Sequence, residues 1–372
     1  MGGKVRIGIL GGGGILGAHA PGFMQIQDRC TVTAVADPDP ARAPAIRKLL
    51  GDHVRIEKDY ADVLAATDVD AVDILLPHHL HMPATIAAAK ARKPVLVEKV
   101  MARNVYECDR MVEACAHAGV SLTVCHDRRY HSEWIALKDV LASGVLGDIL
   151  FWKLDHNQNV DPRGGKAWIQ SRDCLGGGAI MSCLTHQIDA LRWYGGEVKS
   201  VNCMTKVIPE RMEGETFGVM TAAMRSGALA QLSINWMTRS NQAANGLWYE
   251  MVHVCGTEGE AYYMSGRGTF VLCRDRTALA GKLESDAGEN AFAKVKAAKE
   301  SGHVRCVAEW VKLLRGEDAQ ISTWGADARK TVEVAEAAYL SVESARTVAL
   351  PLQPRPWGQA AAAVQEQVVA HA

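Results

Sequence analysis

The sequence predicts an α/β fold: an N-terminal Rossmann-type, doubly wound parallel sheet, followed by an α+β domain with a large open, mainly antiparallel sheet. Three observations carry this expectation. Short apolar runs alternate with helical stretches through the first third of the chain, the pattern of strands buried on both faces. A glycine-rich turn follows the first of those runs directly. From about Asp148 onward the apolar residues alternate with polar ones, the pattern of half-exposed strands.

Taken in order, Val5–Leu10, Thr31–Ala36, Ala71–Leu76, Val95–Val97 and Leu122–Val124 read as buried strands. Between them Pro83–Arg92 and Asn104–Ala118 read as helices, the second with Asn104 as N-cap and Gly119 as its stop. This alternation implies parallel strands joined by right-handed crossovers. Farther on, Leu232, Ile234 and Trp236 share one strand face, and Glu250, Val252 and Val254 share another. Ala278–Ser301 is rich in Ala and Lys and reads as a surface helix or mobile insertion, and Asp327–Ser344 reads as a helix. The expected division is a nucleotide-binding domain over residues 1–125, a substrate-binding and oligomerisation domain over 126–355, and a tail over 356–372.

Charge excludes some functions. The 372 residues carry 41 Lys and Arg against 42 Asp and Glu, a net charge of −1, so no cationic excess exists to bind nucleic acid or an anionic membrane. Ten cysteines without a C-x-x-C pair read as reduced thiols in a cytoplasmic protein. Ile7–Gln27 mimics a secretory signal, but its repeated glycines and Pro21 suit a strand and a glycine turn better.

Gly12, Gly14 and Gly17 satisfy G-x-G-x-x-G, and a register one residue earlier uses Gly11 and Gly13 with Leu16 in the third slot. Glycines there permit a tight turn and let backbone N–H groups and a helix N-terminus approach a pyrophosphate. Asp37 ends the second strand at the distance where an acid binds ribose hydroxyls. The expected nucleotide site is therefore Gly11, Gly12, Gly13, Gly14, Ile15, Leu16 and Asp37. A carboxylate repels a 2′-phosphate, and Pro38-Asp39 supplies no cation to replace it, so NAD is expected rather than NADP.

Gly11–His19, Leu76-Pro77-His78-His79-Leu80-His81, Glu98-Lys99-Val100, Arg129-Tyr130, Gly176-Gly177-Gly178 and His186-Gln187-Ile188-Asp189 occur in that order. With them the chain resembles the glucose–fructose oxidoreductase / inositol dehydrogenase (Gfo/Idh/MocA) family across nearly its whole length. The resemblance implies hydride transfer between a nicotinamide and the hydroxyl of a sugar, inositol or related polyol. It implies that Lys99, in the family's Glu-Lys-Pro motif, sits beside the reacting hydroxyl; Val100 replaces the proline. His186 matches the family's histidine, and Ser182 stands where the family has an aspartate. At i and i+4 these two share one helix face. A neutral imidazole can take the hydroxyl proton, whereas Ser182 can only hydrogen-bond. The loop Pro77–His81 is implied to lie at the nicotinamide ribose, adding Pro77, His78, His81, Glu98 and Lys99 to the cofactor site. Arg129 and Tyr130 are implied to face substrate, and Asn157, Arg163 and Trp168 supply polar and aromatic walls for a hydroxyl-rich ring. The three histidines of the loop have no carboxylate or cysteine to complete a ligand set, so no metal is expected.

The expected function is that of an NAD-dependent dehydrogenase for a secondary hydroxyl of a cyclic polyol. A dehydrogenase of another cyclic alcohol such as a dihydrodiol, NAD-dependent glycoside cleavage through a 3-keto intermediate, and a non-catalytic NAD-binding regulator stay open as alternatives. The expected partners are a small-molecule polyol and further copies of the chain, as a homodimer or homotetramer, because the alternating strands leave one sheet face to cover.

Overall fold

The structure, a computed structural model, describes residues 3–161, 167–238, 249–284, 288 and 291–352. Strands β1 (Val5–Leu10), β2 (Cys30–Ala36), β3 (Arg55–Glu57), β4 (Ala71–Ile74), β5 (Val95–Glu98) and β6 (Leu122–Cys125) form a parallel sheet in the order β3-β2-β1-β4-β5-β6. Helices α1 (Leu16–Gln25), α2 (Ala43–Leu50), α3 (Tyr60–Ala65), α4 (His78–Lys90) and α5 (Val105–Ala118) connect them. The strand order reverses between β1 and β4, and a ligand binds in the crevice at such a switch point. The central strands are apolar because both faces are covered: every residue of β4, β5 and β6 is buried.

Local signals fixed α5 closely. Asn104 Oδ1 accepts from Glu107 N–H at 2.9 Å, and Gly119 closes the helix with φ +67°. Helix α4 differs from expectation. It starts at His78, five residues before Pro83, so Pro77–His81 is not a loop. Proline usually opens a helix, but here Pro77 supplies the extended residue before the first turn and Pro83 sits inside.

The second half comprises α6 (Ser132–Ala142), β7 (Ile149–Asn157), α7 (Ala167–Gln170), α8 (Arg172–Leu175), a π-helical turn (Ile180–Leu184), α9 (Thr185–Gly195), β8 (Val198–Val207), β9 (Glu215–Met224), β10 (Leu229–Asn235), β11 (Tyr249–Gly256), β12 (Gly259–Met264), β13 (Gly268–Cys273), β14 (Ala293–Lys294), α10 (Gly302–Leu314), α11 (Gly325–Ser344) and β15 (Val348–Ala349). The nine-stranded sheet runs β14-β13-β12-β11-β7-β10-β9-β8-β15. Only β7 and β10 pair in parallel; the other pairs are antiparallel. Helices α9 and α11 cover one face, with Leu154, Leu232 and Met220 buried beneath them, while Met204, Val219 and Leu229 stand exposed on the other.

No α-helix forms among the described residues of 278–301. A 3-10 turn spans Thr277–Leu279, and β14 pairs with β13 to bury Ala293, so tertiary pairing overrides the helical composition. Helix α10 returns to the first sheet, where Cys306, Val307 and Trp310 share a core with Leu16, Phe23 and Leu96. The expected tail, 356–372, lies outside the described residues.

Candidate active site

The turn after β1 admits only glycine at its first position. Gly11 has φ +108°, and a Cβ there would stand 2.5 Å from Leu75 O. Gly12 N–H donates to Asp37 Oδ2 at 2.9 Å, and Asp39 N–H donates to Asp37 Oδ1 at 2.9 Å. The Asp37 carboxylate is thereby fixed at the turn with lone pairs left for hydroxyl donors. Gly13 has open space beside it, and Ile15 and Leu16 open α1. Backbone donors, a helix N-terminus and an oriented carboxylate together fit a dinucleotide.

A cation does stand near this carboxylate. Arg42 donates to Gly12 O at 2.7 and 3.0 Å. It lies beyond Pro38-Asp39, three residues after Asp39 in the chain. A 3-10 turn over Pro40–Arg42, capped by Asp39, swings Arg42 back to the glycine loop. Asp37→Ser should therefore raise the ratio of NADP to NAD affinity at least ~10-fold, about 1.4 kcal/mol. Fluorescence titration with both cofactors checks this, and an unchanged ratio contradicts it.

The opposite end of the crevice is built at the end of β5. Lys99 N–H donates to Glu98 Oε2 at 3.1 Å, the Lys99–Val100 peptide is cis, and Lys99 Nζ donates to the Ser182 carbonyl at 3.1 Å. His81 holds this turn from behind: its ring nitrogens face Val100 O at 2.9 Å and Leu76 O at 2.8 Å. Backbone carbonyls thus occupy both nitrogens of a residue assigned from sequence to the cofactor. His78 donates from Nδ1 to Leu175 O at 3.1 Å and meets Trp168 edge-on at 5.1 Å between ring centroids. Burial, then His81, depress the His78 pKa to about 3, so this ring is neutral.

Ser182 and His186 are set by the glycine run. A Cβ on Gly177 would stand 2.1 Å from Tyr339 Oη. The Tyr339 hydroxyl accepts from Gly178 N–H and Met181 N–H and donates to Glu215 Oε1, which also accepts from Ile180 N–H. The chain wraps these two side chains and leaves them in the π-helical turn Ile180–Leu184. This wider winding carries Ser182, and His186 follows in the first turn of α9. Lys99 meets the carbonyl of Ser182.

His186 is buried and stacks on His156, with ring centroids 6.1 Å apart and planes 6° apart. Its Nδ1 lies 3.7 Å from Asp127 Oδ1, and neither atom has a hydrogen-bond partner among the described residues. Burial, followed by the charges of Lys99 and Arg128 and by His156, pushes the His186 pKa well below its ordinary value. For Asp127, burial works toward protonation, but Arg128, His303 and Lys99 outweigh it and hold the carboxyl far below the usual range. The pocket therefore holds a neutral imidazole, an ionised carboxylate and the Lys99 amine. The carboxylate absent at position 182 is present at 127, on the connection after β6.

Several sequence assignments fall elsewhere. Arg129 is buried and donates to Asp189 at 2.8 and 2.6 Å, to Asp327 at 2.7 Å and to Ser322 O at 2.6 Å. Tyr130 is buried, with its hydroxyl 3.1 Å from Thr323 Oγ1. These partners fix both side chains, which also line a cavity with Ile135, Trp193 and Ser322. Their neighbours Asp127 and Arg128 face the pocket, and Arg128 donates to Glu250 Oε2 at 2.7 Å. Asn157 is displaced by the same one-residue phase: on β7, His156 turns to Gln187 of α9 at 3.2 Å, so Asn157 points to the opposite face of the sheet. Trp168 stands against His78 on α7, and Arg163 lies outside the described residues. The pairs His19–Asp73, His303–Asp127 and Arg128–Glu250 join residues far apart in the chain or on different elements, and no local motif connects them.

Comparison with known proteins gives a consistent result. The family description "Oxidoreductase family, NAD-binding Rossmann fold" matches residues 5–126, and "GFO/IDH/MocA C-terminal domain" matches residues 134–262. An inositol 2-dehydrogenase of Rubrobacter xylanophilus is 27% identical over 352 residues, covering 92% of this chain and 92% of that protein. A D-apiose dehydrogenase of Rhizobium rhizogenes is 26% identical, covering 85% of this chain and 89% of that protein. Among solved structures, the WlbA dehydrogenase of Bordetella pertussis in complex with NADH and UDP-GlcNAcA is 25% identical with a TM-score of 0.78, over 94% of this chain and 100% of that one.

Proposed function

Because the chain belongs to the Gfo/Idh/MocA oxidoreductase family, we propose that it is an NAD-dependent dehydrogenase acting on a secondary hydroxyl of a cyclic polyol. One observation carries the proposal: at the carboxyl edge of β5 the Lys99 amine bonds the Ser182 carbonyl, and its charge helps keep the nearby His186 imidazole neutral. Relatives of similar length are named for inositol and apiose, both polyhydroxylated substrates.

When bound, NAD supplies the acceptor for hydride. The Gly11–Leu16 turn and Asp37 hold and orient it. Lys99 donates a hydrogen bond to the substrate hydroxyl from a position anchored on the Ser182 carbonyl. His186 takes the hydroxyl proton at Nε2, which requires its Nδ1 to carry the other hydrogen. Asp127, facing Nδ1, favours that tautomer and stabilises the imidazolium once it forms, so it is a positioning residue. Arg128, next to Asp127 in the chain, and Glu250 and His156 of the second sheet fix Asp127 and His186.

The test is a screen of the purified protein with NAD against inositols, sugars and glycosides, read by NADH absorbance. Turnover with at least one cyclic polyol supports the reading. NAD binding without turnover on any of them supports a regulator instead, and release of free aglycone supports glycoside cleavage.

The proposal extends to assembly and location: a homodimer or homotetramer in the cytoplasm, formed through the open sheet face. The exposed Met204, at 70%, and Leu229, at 58%, support an apolar contact there. Light scattering at micromolar protein should show a dimer or larger, and a monomer contradicts it.

A further inference from the structure

Beneath Lys99, four side chains from distant parts of the chain converge on one point. They are His19 from α1, Glu98 at the end of β5, Cys125 at the end of β6, and His303 in the first turn of α10. One ligand atom from each lies within 4.8 Å of every other. The Nε2 atoms of both histidines face the same oxygen, Glu98 Oε1, at 2.9 Å for His19 and 3.7 Å for His303. His19, Glu98 and Cys125 are buried, and His303 is 18% exposed at its side chain.

The outer partners distinguish this cluster from a chance meeting of polar groups. Each histidine turns its Nδ1 to a separate carboxylate: His19 to Asp73 Oδ2 at 2.8 Å, and His303 to Asp127 Oδ2 at 3.5 Å. A carboxylate behind Nδ1 orients each ring with Nε2 toward the centre of the cluster, as it orients metal-bound imidazoles; in the metal-free protein His19 Nε2 donates to Glu98 Oε1, and an ion would take the place of that proton. We propose that His19, Glu98, Cys125 and His303 form a site for a single divalent transition-metal ion of the zinc type.

Two imidazoles, one thiolate and one carboxylate suit a borderline-soft, tetrahedral ion and exclude Mg²⁺ and Ca²⁺, which take oxygen ligands. Bonds of about 2.0–2.3 Å place tetrahedral ligands roughly 3.3–3.8 Å apart, so closure needs movements of about 1 Å or less. The ion would tie α10, far along the chain, to the sheet edge that carries Lys99. It is a structural clamp beside the reaction site, outside the hydride and proton steps. A second cluster, His253, Cys255 and Glu260, lies on the open face of the second sheet and offers only three ligands from one strand pair. It serves as the internal control.

The experiment uses the full chain, stripped with a chelator and titrated with Co²⁺ alone. One equivalent should bind with intense tetrahedral visible bands and a thiolate-to-cobalt charge-transfer band, and Zn²⁺ should displace it. Cys125→Ser should abolish the charge-transfer band, whereas Cys255→Ser should leave it intact. His303→Gln, at the mouth of the cluster and least able to disturb the core, should weaken Co²⁺ binding at least ~10-fold. Absence of the charge-transfer band, its loss in Cys255→Ser, or unchanged Co²⁺ affinity in His303→Gln overturns the proposal. Because the readout is metal binding, an inactive enzyme and an absent metal site are told apart.

Discussion

His186→Ala is expected to lower turnover at least ~100-fold while leaving NAD affinity nearly unchanged, because proton handling contributes on that scale and the dinucleotide turn is a separate element. Lys99→Ala should do the same. The two losses should not add, since both groups serve one hydroxyl. Ser182→Ala should cost much less, because Lys99 uses the Ser182 carbonyl and that atom survives the substitution. The pH profile carries a sign. Burial first, then the cations around it, keep His186 neutral below the ordinary value of 6.5. Its base form therefore persists as the pH falls, and kcat/KM should hold level through 6.5 from this group. A decline with an apparent pKa at or above 6.5 that vanishes in His186→Ala contradicts the neutral-base assignment.

Arg129→Ala is expected to destabilise the protein by about 3–5 kcal/mol, the cost of removing one member of a buried ion pair. The guanidinium is 6% exposed and joins Asp189 of α9 to Asp327 of α11. Removing it strands the Asp189 carboxylate, which is 1% exposed and keeps Thr331 Oγ1, the nearby His126 and the more distant charge of Arg192 among the described residues. Urea denaturation measures the loss. Substrate KM in the surviving folded fraction should change little. A raised KM with nearly unchanged stability would instead return Arg129 to the substrate side of the cleft.

What the sequence made legible was local. The turn after β1, the bounds of β1 and the caps of α5 are written in neighbouring residues, and they stand in the structure as read. Asp37 too could be found by counting from the turn, because β2 ends where the parallel register with β1 places it. The errors are of phase and of distance. On the 3-10 turn Arg128 pairs with Glu250 while Arg129 pairs with Asp189, and on β7 it is His156 that meets Gln187; one residue on such an element moves a side chain to the other side. The π-helical turn that carries Ser182 could not be read from local sequence, because Tyr339 and Glu215, far along the chain, hold its backbone. Asp127 was invisible as the counterpart of the missing aspartate, since only the approach of β6 to α9 brings it to His186. The convergence of α1 and α10 likewise depends on a contact across nearly 300 positions, which no periodicity encodes.

The central claim is that hydride leaves a carbinol carbon of a cyclic polyol for the nicotinamide held over Lys99 and His186. The most direct measurement is label transfer. A polyol that supports NADH formation in the screen is prepared with deuterium at its carbinol carbons and turned over with wild-type protein, and the reduced cofactor is weighed by mass spectrometry. The account predicts NADH one mass unit heavier, with label accumulation slowed at least ~100-fold in His186→Ala. Unlabelled NADH, or label transfer equally fast in His186→Ala and Lys99→Ala, would contradict it.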